Sequence, residues 1–290
     1  MLREDDFGDA GGQFSRLLPG PARRVLADPG VQRRLLEVEQ RLVAGAEVRQ
    51  PHWFERTMLV SDEETDVLRE RLGDGPGAPE VSTLPPLLRA QPSVLRAVTE
   101  HAAPEFTFVG GFGYAPNRQG MDWFLQTCRE AVLERLPDVI VNVVGPGTDA
   151  GLSSAEPWGS AVRFLGWVDD LDEVLGLSLA LLSPLRSGSG IKIKVLEALS
   201  RGLPVVATPA GVQGVVRSEQ LGGTGVLVGS SPDELAEAMA ALVDRATREA
   251  LSRAARRTWD ESYAPGVVES IYDRHLGLDA SSPHPRDIAV

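Results

Sequence analysis

Six short apolar runs recur between residues 106 and 228, and they constrain the fold more than any other feature. They are Phe106-Thr107-Phe108-Val109, Val139 to Val144, Val162-Arg163-Phe164-Leu165, Leu179-Ala180-Leu181-Leu182, Pro204-Val205-Val206-Ala207 and Val226-Leu227-Val228. Strands of a parallel sheet are covered on both faces, so they read as continuous apolar runs rather than as alternations. Helical periods fall between them. Met121, Phe124, Leu125, Cys128, Val132 and Leu136 make one apolar stripe, and Leu235, Met239, Leu242 and Val243 make another. The alternation predicts an α/β fold, a doubly wound parallel sheet over residues 105–276, closed by a helix from Pro265 to Leu276.

Upstream the pattern is shorter. Gln32 to Val43 reads as a helix, Thr57 to Val60 as a strand, Ser61-Asp62-Glu63-Glu64 as the start of a helix running to Leu72, and Val81 to Leu84 as one more strand. The break Gly73-Asp74-Gly75-Pro76-Gly77-Ala78-Pro79 divides them. Residues 1–84 therefore predict a partial second α/β domain, with 85–104 a linker and 277–290 a tail. The first thirty residues, rich in glycine and charge, are expected to be irregular.

Charge and composition exclude several functions. A net charge of -12 and a pI near 4.9 repel phosphate backbones, so nucleic acid is not an expected partner. The weakly polar run from Val174 to Leu185 is too short to span a bilayer, and the opening Met1-Leu2-Arg3-Glu4-Asp5-Asp6 carries no signal-peptide stretch. One cysteine, Cys128, forms no internal disulfide, which fits a cytoplasmic location. His52, His101, His275 and His284 lack metal-ligand spacing, so no metal is expected. Asp169-Asp170-Leu171-Asp172-Glu173 reads as a helix start, where acids suit the dipole. In Gly145-Pro146-Gly147-Thr148-Asp149-Ala150-Gly151 the third glycine comes one residue late for a dinucleotide fingerprint, which argues against a dehydrogenase.

The chemistry concentrates after the fourth run. Of the 29 lysines and arginines only Lys192 and Lys194 are lysine, and both lie in the acid-free stretch between Glu173 and Glu197. There Pro184-Leu185-Arg186-Ser187-Gly188-Ser189-Gly190-Ile191-Lys192-Ile193-Lys194 turns from a strand into a helix with an apolar face of Ile191, Val195, Ala198 and Leu199. Such a turn aims backbone N–H groups at an anion, glycines permit close approach, and Lys192 in the first turn adds charge. Lys194, two residues on, is expected to point away into solvent, because two helical positions are separated by about 200°. Glu197 offers acceptors for sugar or ribose hydroxyls; the competing reading is a surface pair with Lys194 or Arg201.

From Glu105 to Leu276 the sequence resembles the GT-B glycosyltransferases of the family 4 type. The features are Phe108-Val109-Gly110-Gly111, Val162 to Val168, the glycine turn with Val195-Leu196-Glu197-Ala198, Gly202 to Thr208, and Gly225-Val226-Leu227-Val228. The resemblance implies sugar transfer from a nucleotide-sugar donor to an unknown acceptor, with retention and without a cofactor or metal. It implies that Glu197, the later residue of a Glu-x7-Glu pattern, binds the donor ribose, and that Gly110 and Gly111 let the diphosphate approach. It places the segment Phe164 to Val168 beside the base and Pro209-Ala210-Gly211 at the sugar pocket. The donor site is thus assigned to Gly110, Gly111, Arg186, Ser189, Gly190, Ile191, Lys192 and Glu197.

Two departures stand out. Ser189 occupies the position of the earlier Glu, and the family's Arg and Lys after the first strand are replaced by Gly111 and by Arg118 or Gln119; Arg118, Arg186 and Lys192 are expected to supply the phosphate charge. The front of the chain matches only the closing portion of an acceptor-side domain. It is read as a fragment, as a misplaced start, or as a natural half completed by self-association or a partner subunit. The alternative function is a non-catalytic nucleotide-sugar-binding or assembly module; a non-hydrolysing sugar epimerase shares the architecture.

Overall fold

A computed structural model describes residues 28–73, 75–91, 103–217 and 221–276. The expected irregular stretch before Asp28, most of the expected linker and the tail from Gly277 lie outside the described residues. The chain divides into two compact units, one ending at Thr83 and including Ser187–Ser189, the other running from Leu84 to Arg186 and resuming at Gly190.

The first unit contains α1 (Pro29–Arg49), β1 (Arg56–Leu59), α2 (Asp62–Leu72) and β2 (Glu80–Thr83), its two strands paired in parallel with Arg56 opposite Glu80. Ser61 caps α2, accepting from the Glu64 N–H at 3.3 Å. Arg69 ties that helix to the sheet by donating from Nε and Nη2 to the Val81 carbonyl at 3.0 and 2.7 Å.

The second unit holds β3 (Glu105–Val109), α3 (Ala115–Thr127), α4 (Arg129–Arg135), β4 (Ile140–Val144), β5 (Val162–Gly166), α5 (Leu171–Leu175), β6 (Ala180–Ser183), α6 (Ile193–Ser200), β7 (Val205–Ala207), α7 (Pro209–Val212), β8 (Val226–Val228), α8 (Pro232–Ala241), α9 (Arg245–Ser262) and α10 (Pro265–Leu276). Its six strands are all parallel in the order β5-β4-β3-β6-β7-β8. That is the doubly wound arrangement: the chain steps outward from β3 on one side, returns, and steps outward from β6 on the other.

Strand alternation assigns the two faces. Phe106, Phe108, Val141, Val143, Ala180, Leu182 and Val206 pack with Met121, Phe124, Leu235 and Met239, while Leu181, Val205 and Ala207 pack with Val195, Leu199 and Trp259. Both layers are buried, as parallel sheets require. The stripe from Met121 to Leu136 is two helices rather than one, broken at Cys128, which is buried at the joint. Residues Ser153–Ala161 form two short 3-10 turns meeting at Gly159, and they bring Trp158 to stack on Phe124 at 5.7 Å with its indole N–H donating to the Leu125 carbonyl at 2.8 Å.

Candidate functional site

In a doubly wound sheet the ligand crevice opens at the carboxyl ends of the strands where the winding reverses, here β3 and β6. β3 runs into Gly110 and Gly111. The Gly110 N–H donates to the Val144 carbonyl at 2.8 Å, and the Phe112 N–H to the Pro146 carbonyl at 3.0 Å. A Cβ on Gly145 would lie 2.7 Å from the Gly110 carbonyl carbon, so these two loops meet backbone to backbone and leave no room for a side chain.

Two side chains converge on this glycine turn. Asn117, buried in the first turn of α3, donates from Nδ2 to the Gly111 carbonyl at 3.0 Å and accepts at Oδ1 from Lys194 Nζ at 2.7 Å. The Lys194 ammonium also lies 4.2 Å from the centroid of the Phe108 ring. A Cβ on Gly110 would stand 2.8 Å from that Nζ and 2.7 Å from Asn117 Nδ2. Burial, and then the charge of Lys192, lower the Lys194 pKa from 10.5 to about 7.

This overturns the expected orientation of the two lysines. Helix α6 starts at Ile193, two residues later than the apolar face beginning at Ile191 suggests, so Lys194 takes the first-turn position assigned to Lys192. Lys192 is 7% exposed and curls back, donating from Nζ to the Gly190 carbonyl at 2.8 Å. Gly188 and Gly190 adopt φ of 112° and 75°, backbone that favours glycine. Ile191 packs where a Cβ on Gly214 would stand 3.0 Å from its Cα. Thr208 donates from Oγ1 to the Leu185 carbonyl, and Ser183 from Oγ to the Gly211 carbonyl at 2.9 Å, joining the loops after β6 and β7.

The remaining assigned residues are placed as follows. Arg186 is exposed, with its guanidinium 4.6 Å above the Trp123 ring, and Ser189 is exposed. Arg118 belongs to α3. Glu197 sits one turn after Lys194 on α6. Its carboxylate makes no ion pair or hydrogen bond among the described residues, because Arg201 turns instead to Asp172 at 2.7 Å and to the Glu197 carbonyl at 3.0 Å. The surface-pair reading of Glu197 is therefore set aside. Asp170 caps α5 as the acidic run predicts, accepting from the N–H groups of Asp172 and Glu173.

Asn117 and Lys194 are the residues that sequence reasoning misses. The signal for Lys194 was its three-residue spacing from Glu197, which puts both on one helix face once the helix start is known. Among the described residues, no group of three or more His, Cys, Asp or Glu is placed to hold a metal. No described helix is long and apolar enough to cross a membrane. A surface depression beside β5, lined by residues including Gly151, Glu156 and Phe164, shares no residue with the Gly110 cluster.

Residues 103–245 match the family described as glycosyl transferases group 1. Over 132 residues the chain is 31% identical to a sulfoquinovosyl transferase of Arabidopsis thaliana, covering 44% of this chain and 26% of that protein. Among solved structures it resembles TarM of S. aureus, with a TM-score of 0.63 and 14% identity over 80% of this chain and 44% of that one. It also resembles HepE of Anabaena, solved with UDP, with a TM-score of 0.60 and 14% identity over 77% of this chain and 64% of that one. The chain thus spans less than two thirds of the length of each.

Proposed function

We infer that this chain, whose residues 103–245 match the glycosyl transferases group 1 family, is a glycosyltransferase that takes a sugar from a nucleotide-sugar donor. One observation carries the reading. At the reversal point of the sheet, Gly110 and Gly111 form a half-exposed glycine notch against which a cationic side chain and an amide are packed. A diphosphate suits that notch, since exposed backbone and a nearby cation are what a close-approaching anion needs. The unpartnered carboxylate of Glu197 then serves as acceptor for the donor ribose hydroxyls. Arg186 and Ser189, both exposed, flank the same turn. UDP in HepE makes the uridine nucleotides the first to test.

The test is calorimetry of the full chain with UDP, GDP, ADP, CDP and dTDP, followed by transfer assays with the matching labelled nucleotide-sugars. Glu197→Gln keeps the shape and removes charge-assisted hydrogen bonds, so affinity for the bound nucleotide is expected to fall about tenfold or more. An unchanged affinity overturns the ribose assignment. Retention of anomeric configuration, with no metal, is read from the product and from assays in chelator.

Ser189 supports a second reading, a non-catalytic nucleotide-sugar-binding or assembly module. A hydroxyl stands where the resembled pattern has a carboxylate, and it stabilises no developing positive charge. Donor binding without transfer or donor hydrolysis favours that module. We further propose that the first unit is covered by a second copy or a partner subunit. Leu35, Val38 and Leu42 recur at helical spacing on α1 and are 51%, 52% and 64% exposed. Light scattering of the purified chain checks this. The lone Cys128, buried and with its thiol pushed up to about 11, supports a reducing, cytoplasmic setting.

A further inference from the structure

Lys194 is a half-buried cation without a counter-ion among the described residues. Of its three donor hydrogens, one goes to Asn117 Oδ1 at 2.7 Å, and no other hydrogen bond or ion pair reaches Nζ from the described residues. The elements packed on it offer nothing ionisable: β3 presents the Phe108 ring, α3 presents the Asn117 amide, and the turn presents the Gly110 backbone. The titratable group acting on it is Lys192, a like charge. Partly buried charges are retained where something pairs with them. Here the ammonium rests against the half-exposed glycine turn, 2.8 Å from where a Gly110 Cβ would stand.

Building on the donor reading above, we propose that Lys194 is the residue that receives the donor's diphosphate, and that its Nζ takes up one proton from solvent as the nucleotide binds. The neutral amine becomes an ammonium, and no covalent bond changes. With a pKa of about 7 the free amine is roughly nine-tenths neutral at pH 8. A diphosphate beside it restores the ordinary lysine range, because an opposite charge favours the protonated form. Lys192, more deeply buried and donating from Nζ to the Gly190 carbonyl, is the comparison residue. Lys194 then brings a charge from α6 to a turn where the resembled family's cations are replaced by Gly111 and by Arg118 or Gln119.

The experiment is calorimetry of the full chain with UDP at pH 8 in two buffers of different ionisation heat, repeated from pH 6.5 to 9. The nucleotide that binds tightest in the panel replaces UDP if UDP does not bind. About 0.9 proton is expected to be taken up per nucleotide at pH 8, with affinity falling about tenfold per pH unit above 7.5. Lys194→Arg, permanently charged, is expected to bind without proton uptake and with a flat pH profile. Lys194→Met is expected to bind at least tenfold more weakly, also without uptake, while Lys192→Met keeps the uptake. Proton uptake persisting in Lys194→Met, or parent-like affinity there, overturns the proposal and leaves the donor reading standing. Failure of the parent chain to bind any of the five nucleotides overturns the donor reading and this proposal together.

Discussion

The two parallel sheets of this molecule obey the same pairing geometry and reach opposite outcomes. In the six-stranded sheet every residue of β6 and β7 is buried, and helices cover both faces. In the two-stranded sheet every residue of β1 is only partly buried, and α1 leaves Leu35, Val38 and Leu42 exposed. Parallel strands lack the tight hairpins that let a small antiparallel sheet stand with one wet face, so a parallel pair depends on what is laid over it. The difference teaches that the continuous two-sided core and the glycine-turn site both belong to the second unit, while the first leaves part of its apolar surface exposed.

The largest expected effect separates the units by a single truncation type. Phe124→Ala removes a fully buried ring stacked on Trp158 and is expected to cost about 3–5 kcal/mol in urea unfolding. Phe54→Ala, at a ring that is 63% exposed, is expected to stay within about 0.5 kcal/mol. Similar losses at both positions would break the comparison. Next come two glycines with the same backbone demand, Gly225 at φ 78° and Gly77 at φ 90°. Alanine at either pays about 1–2 kcal/mol for left-handed backbone. Gly225→Ala also drives its methyl into the Ala255 backbone, whereas Gly77→Ala meets open space, so thermal unfolding is expected to show Gly225→Ala worse by about 1–3 kcal/mol.

A smaller effect sharpens the picture of the second unit through pH. Lys194 has a folded pKa of about 7 against an ordinary 10.5, so above pH 7 the unfolded chain holds more protons than the folded one. Stability from this group therefore rises with pH between about 7 and 10.5, and is lowest below 7. Cys128 works weakly against the trend near pH 9, because its thiol is pushed up to about 11 in the folded chain and the unfolded chain loses that proton first, but it does so equally in the parent and in the variant. The urea midpoint of the parent is expected to climb across that window more steeply than that of Lys194→Met; parallel profiles would refute the buried-cation account. The smallest effect lies in the first unit, where Arg71 meets Glu47 at 2.7 Å with both side chains about half exposed. A double-mutant cycle there is expected to give a coupling of about 0.2–1 kcal/mol, and a larger value would mean that the α1–α2 contact is more shielded than its exposure indicates.

The sequence alone determined the sheet. All six apolar runs became strands within one or two residues of where they were read, because a strand buried on both faces has to be apolar throughout and that demand is local. The helix Pro265–Leu276 and the caps at Ser61 and Asp170 were equally legible, since capping uses the chain's own neighbours. Helix α9 escaped notice because its buried positions are mostly small, Ser252, Ala254 and Ala255 with Trp259, set among arginines that dilute the apolar period. Of the site, the glycine turn at 110–111 and the carboxylate of Glu197 were readable, while Lys194 was not. Two positions two residues apart on a helix differ by about 200°, and with the helix starting at Ile193 Lys192 stays outside it, curled onto Gly190, while Ile191 packs against Gly214 in a loop distant in sequence. Asn117 joins Gly111 to Lys194 across 77 residues of chain, and only the tertiary structure, by bringing the starts of α3 and α6 together from opposite faces of the sheet at the end of β3, could decide which of two neighbouring lysines faces the notch.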